Sequence, residues 1–194
     1  MRQRNPAIRI NHHSSFKGVC MLVLNDEINA LRQAAQLLCI AARTAPKGRG
    51  RDLLTTAIVT GAEKVELAAR MRFIADRDAV AFFRRDAGNV DEAEVLVLFG
   101  TRSAPMGLPN CGYCGFADCM ALQQAGGICA FNSGDLGIAL GSAVSRAADL
   151  RIDNRILYSA GKAAIELGLL GTDIVQAYGL PLSATGKNPF FDRK

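Results

Sequence analysis

Apolar side chains recur every three or four positions at Ile28, Leu31, Ala35, Leu38 and Ala42, with polar and charged residues between them. That period predicts an amphipathic helix. Asn25 stands where an N-cap would, Asp26 and Glu27 fill the first turn, and Pro46 ends the run. The period then changes. "LLTTAIVT" (53–60) is β-branched and predicts a buried strand. "GAEKVELAARMRFIADRDAVAFFRRDAG" (61–88) interleaves apolar and charged positions and predicts helix, divisible into two. "EVLVLFGT" (94–101) is almost unbroken in apolar residues, the pattern of a strand covered on both faces.

Further along, "DLGIALGSAVSRAADL" (135–150) predicts a helix capped by Ser133 or Asp135. Its small residues, among them Gly137, Gly141 and Ala148, would let another backbone or a bound group approach closely. "NRILYSAGKAAIELGLLG" (154–171) predicts another helix, "DIVQAYGLPLS" (173–183) a third strand, and the tail 184–194 has no strong period. Helices alternating with few strands predict an α/β (α+β) domain over 25–194.

Of the 194 residues, 49% are apolar and 21% charged, a globular balance. "VCMLVL" (19–24), the longest apolar run near the start, is far too short to cross a bilayer, so a soluble, cytoplasmic protein is expected. The net charge of +5 invites a nucleic-acid partner until it is located. Arg2, Arg4, Arg9 and Lys17 lie in a leader (1–24) that has no acid, leaving 19 basic against 18 acidic residues in the body. No nucleic-acid partner is expected from so even a balance. The leader reads as a disordered arm or as sequence upstream of a true start at Met21, with a transit-like segment as the alternative.

The chemistry concentrates in one stretch. Of six cysteines, Cys20 and Cys39 stand apart, and Cys39 falls on an apolar helical face. The other four, Cys111, Cys114, Cys119 and Cys129, are spaced Cys-x2-Cys-x4-Cys-x9-Cys. The only histidines, His12 and His13, are in the leader. Four thiolates without histidine suit a structural zinc or an iron–sulfur cluster, with four incidental buried thiols as the bland alternative. Structural zinc usually takes two short pairs across a longer loop, whereas three cysteines in one compact loop plus a later fourth suit a cubane. Gly112 and Gly115 can turn that loop and aim N–H groups at sulfur. From Ser103 to Ser145 there is no Lys or Arg, and Asp118 and Asp135 are the only charges. Leu108, Phe116, Met120, Leu122, Ile128 and Phe131 would shield a cluster from water, while a nucleic-acid-binding zinc knuckle would carry basic residues.

"CGYCGFADCMALQQAGGIC" resembles the small 4Fe-4S domain with the pattern C-G-x-C-G-x-x-x-C and a later Cys, found in electron-transport complexes and corrinoid iron–sulfur proteins. More broadly, "AARTAPKGRGRD", "DLGIALGSAVSRAADLRIDNRILYSAGKAA" and "GLPLSATGKNPFFDR" resemble a family of uncharacterised bacterial and archaeal ferredoxin-domain proteins, over roughly residues 25–193. That resemblance implies a 4Fe-4S cluster on the four cysteines, within a segment at about 103–135, and no established reaction.

A weaker likeness, carried by "AARTAPKGRGRDLLTTAIVTG" and the small-residue helix from Asp135, is to the flavin-binding nitroreductase fold. It implies a mixed sheet flanked by helices, with the cysteine loop inserted after a central strand, and a homodimer holding FMN at its interface. The Arg-rich phosphate segment of such proteins is missing ahead of the first helix. Arg43, Lys47, Lys187 and Arg193 are the basic residues that could substitute, each otherwise a solvated surface charge.

No acid/base pair, Ser-His-Asp order or phosphate loop stands out, and "KGRGRD" and "GKNPFF" are too short and irregular for nucleotide loops. No catalytic residue is therefore named. The leading expectation is ferredoxin-like electron transfer to a redox partner protein through a 4Fe-4S cluster, coupled to FMN if flavin binds. A structural zinc scaffold and a flavin-only oxidoreductase remain the alternatives, and an enzymatic activity would be an oxidoreductase one.

Overall fold

The computed structural model describes residues 26–191. The leader with its His12, His13, Cys20 and Met21, the Asn25 cap and Arg193 lie outside the described residues. Helix α1 (Glu27–Thr44) leads through a 3-10 turn at Gly48–Gly50 into strand β1 (Leu54–Val59). Helices α2 (Gly61–Arg77) and α3 (Ala81–Glu92) follow, then β2 (Val95–Arg102). After the cysteine loop come α4 (Cys119–Gln124), α5 (Ala130–Asp149), β3 (Asp153–Asn154), α6 (Tyr158–Glu166) and β4 (Ile174–Ser183).

The four strands form one sheet in the order β1-β2-β4-β3. All its ladders are antiparallel, which corrects the expected mixed sheet; helices flank it on both faces as anticipated. The unbroken apolar run of β2 is explained by its alternation. Val95, Val97 and Phe99 enter a core with α1 and α5, while Leu96 and Leu98 enter a second core with α2, α3 and α6. A central strand buried on both sides gives whatever leaves its end a rigid base.

Three boundaries moved. Helix α5 starts at Ala130 with Cys129 as its N-cap residue, five residues before the expected start, so neither Ser133 nor Asp135 caps it. Helix α6 is shorter than the 154–171 stretch. Leu157 instead bridges to Gly179, and Gly168 and Gly171 adopt positive φ past the helix end, where an L side chain would be strained. The six-residue α4 and the two-residue β3 were not anticipated, being too short to show a period.

Candidate functional site

The chain leaves β2, an interior strand, and runs through residues 103–118 before α4. Four residues of this loop take left-handed backbone: Gly107 (φ 67°), Asn110 (φ 56°), Gly112 (φ 61°) and Gly115 (φ 82°). The Gly115 N–H donates to the Gly112 carbonyl at 2.9 Å, closing a turn that carries Cys114. Three glycines and an asparagine tolerate this conformation where a branched residue would not. The anticipated role of Gly112 and Gly115 as turn formers is thus seen. Asp118 then starts α4, its Oδ1 accepting from the Ala121 N–H at 2.8 Å, which fixes the first turn where Cys119 sits.

All four cysteines line one cavity of about 90 Å³, well above the roughly 10–15 Å³ that admits a single water. Its wall includes Met106, Leu108, Phe116, Leu122 and Phe131. Met106, Leu122 and Cys129 are buried and form a third small core, against which Cys114 packs partly buried. Cys111, Cys114 and Cys119 are half-exposed, Cys129 is only 5% exposed, and none is in a disulfide. Tyr113, 78% exposed, stacks on Phe131 with the rings 5.9 Å apart and 9° from parallel. Met120, expected in the shielding wall, points outward at 67% exposure.

Among the described residues, no three His, Cys, Asp or Glu side chains are grouped to hold a single metal ion. Tetrahedral zinc with bonds of about 2.3 Å would bring its sulfurs to within about 4 Å of one another. Cys129 arrives at the start of α5, where the free N–H groups of a long helix favour a negatively charged neighbour. The four-thiol donor set and the apolar wall have the chemistry that an iron–sulfur cluster takes.

Of the basic residues considered for flavin, Arg43, Lys47 and Lys187 do not line this cavity. Arg43 donates to Asp52 Oδ2 and to the Leu54 carbonyl, each at 2.7 Å, and joins α1 to the start of β1. Lys47 Nζ donates to the carbonyls of Ala42, Arg43 and Ala45 at 2.7–3.1 Å and so satisfies the C-terminal end of α1. The Lys187 carbonyl accepts from Thr185. The short "GRGR" turn, set aside above as too short for a nucleotide loop, lies beside the site, a role the sequence did not show. The Gly48 N–H donates to the Asp135 carboxylate (3.0 and 3.1 Å), Arg49 Nη1 to the Met106 carbonyl (3.0 Å) and Arg51 Nη1 to the Pro105 carbonyl (3.0 Å). Alternating glycine and arginine was the available signal, too common in loops to single out alone.

Residues 125–193 match the family described as "Uncharacterized protein containing a ferredoxin domain" (DUF2148), a span that includes Cys129 but not the other three thiols. An uncharacterized protein of Archaeoglobus fulgidus is 42% identical over 171 residues, which is 82% of this chain and 90% of that one. Among solved structures, nitroreductase CinD from Lactococcus lactis in complex with nicotinic acid superposes with a TM-score of 0.56 at 15% identity. The match covers 88% of this chain and 86% of that one. A nitroreductase with bound FMN from Bacteroides fragilis gives 0.55 at 15% identity, over 90% and 84% of the two chains. At such identities the likeness is one of fold. The close archaeal relative and the family match together place this chain in the family of uncharacterized proteins containing a ferredoxin domain, built on a nitroreductase-like fold.

Proposed function

We propose that this protein is a ferredoxin-like redox protein whose Cys111, Cys114, Cys119 and Cys129 hold a 4Fe-4S cluster. One observation carries the proposal: all four thiols line a single cavity with an apolar wall, in a segment without lysine or arginine from 103 to 145. A bound cluster of this kind takes up and releases single electrons. The chain's own residues do the rest. The turn at Gly112–Gly115 presents Cys111 and Cys114, the Asp118 cap orients Cys119, and the start of α5 supplies the fourth thiolate.

Met106, Phe116 and Leu122 keep water from the sulfurs, which tunes the potential. The stacked pair of Phe131 in the wall and Tyr113 at the surface is an aromatic route outward, where a redox partner protein would dock. Three fully buried side chains are a small core for so long an excursion, and a thiol-bridging cluster would staple it. Relatives by fold include proteins described with FMN. Arg43 and Lys47 already serve this chain's own acceptors, and no step is assigned to FMN.

The test is metal, sulfide and flavin analysis of one anaerobic preparation. Iron and inorganic sulfide in matching amounts, with a broad visible absorption lost in both Cys114→Ser and Cys129→Ser, would support the cluster. Stoichiometric zinc without sulfide would reassign the cavity to a structural metal. Bound flavin surviving Cys114→Ser, without sulfide, would leave a flavin oxidoreductase with incidental thiols.

A further inference from the structure

The cysteine excursion has two walls that come from distant parts of the chain. One is the stretch from Pro105 through Cys119, and the other is the first turns of α5 behind Cys129. The turn at residues 48–51 touches both. Arg49 and Arg51 donate to the carbonyls of Met106 and Pro105, at the root of the three-thiol loop. The Gly48 N–H donates to Asp135, on the helix that Cys129 begins. A Cβ added at Gly48 would stand 3.3 Å from Met106 Cε and 3.4 Å from Phe131 Cδ1, both in the cavity wall, so the turn packs directly against it. The loop root and the α5 side are also tied by Ala104 N–H to Asn132 Oδ1 (2.8 Å) and by a long contact from Ser103 Oγ to the Gly127 carbonyl (3.4 Å).

We infer that Arg49 and Arg51 are positioning residues for the thiol site: with Gly48 they clamp the three-cysteine loop at a set distance from Cys129. The inference rests on the cluster reading above, and it adds an electrostatic consequence. The segment that holds the thiols has no basic residue of its own, so these two guanidiniums bring positive charge to it from outside. Positive charge near an iron–sulfur cluster favours its reduced, more negative state.

The experiment compares wild type, R49A/R51A and R49K/R51K as isolated anaerobically, with single R51A kept in case the double alanine variant does not fold. Circular dichroism checks the fold. Three rates and potentials are then read: iron release to a chelator, alkylation of Cys129, and the midpoint potential. Two lost charge-assisted bonds at partly exposed sites should speed iron release by about tenfold. Cys129 should alkylate faster, and the midpoint should move to more negative values. The lysine variant keeps both charges and can still donate to a carbonyl, so it should restore slow release and the wild-type midpoint, a rescue that mere loss of packing would not show. Unchanged release and alkylation in folded R49A/R51A would overturn the clamp. If wild type holds no iron or sulfide, the cluster reading fails instead, and Cys129 alkylation in the same preparations decides the clamp separately.

Discussion

Gly161 on α6 lies directly against the backbone of β4, and its replacement tests how the fold is held. A Cβ built there would stand 1.8 Å from the Ala177 carbonyl oxygen, 2.2 Å from its carbon and 2.6 Å from the Tyr178 nitrogen. These are backbone atoms of β4, an interior strand locked to β2 through the pairs Gly100–Ala177, Phe99–Tyr178 and Leu98–Gly179. The strand cannot yield, so α6 would have to back away and loosen Ala160, Ala163 and Ala164, all fully buried. Overpacking costs about 1–3 kcal/mol, and a backbone obstacle puts Gly161→Ala at about 3. Alanine returns about 1 kcal/mol in helix propensity, for a net loss of about 2 kcal/mol. With a urea dependence of about 1–3 kcal/mol per molar, the unfolding midpoint followed by circular dichroism should fall by about 1 M. Gly141→Ala on α5 is the internal control: no atom lies within 4 Å of its added Cβ, so it should gain about 1 kcal/mol. A Gly161→Ala midpoint equal to or above wild type would refute the close packing of α6 on β4.

Asp118→Ala removes the cap that orients Cys119. A loss of about 1 kcal/mol confined to α4 should speed iron release about fivefold with little change in the global melting temperature. Acid sensitivity follows from Asp52. Burial pushes its carboxyl upward, but the hydrogen bonds from Arg43 and the Leu54 N–H, with the charges of Arg43 and Lys47, outweigh this and hold it below its ordinary value of 3.8. A depressed carboxyl contributes stability that is present above that value and is lost as pH falls through the folded one. Both partners are more than a third exposed, so solvent screens the effect and it will be modest. Thermal melts from pH 6 down to pH 2 should show a small loss below about pH 4 that Arg43→Met abolishes; an unchanged acid profile in that variant would count against the pairing.

Patterns that repeat along the chain were legible before any coordinates. An almost unbroken apolar run marked β2 as buried on both faces, the three-to-four spacing marked α1, and the clustering of Cys111, Cys114, Cys119 and Cys129 marked the site. Each is a local signal, because strand and helix periods and metal-ligand spacings are written in neighbouring residues. The start of α5 was not local. "AFNSGD" (130–135) has weak helix propensity, and Asp135 resembles a cap. The helix nevertheless begins at Ala130, where Asn132, Ser133 and Asp135 find partners in Ala104, Gln176 and Gly48, far away in sequence. Those long-range bonds satisfy polar groups that would otherwise compete with the helix, and they set Cys129 at its N-terminus.

The composition and spacing of the thiols were thus settled by residue order, since chemistry at short range needs only near neighbours. The enclosure of those thiols, and the part played by Arg49 and Arg51, arose only when β2, the "GRGR" turn and α5 came together. Loop arginines carry no mark of which distant carbonyl they will reach; that partner is chosen by the packing of the sheet and helices that bring the segments into contact.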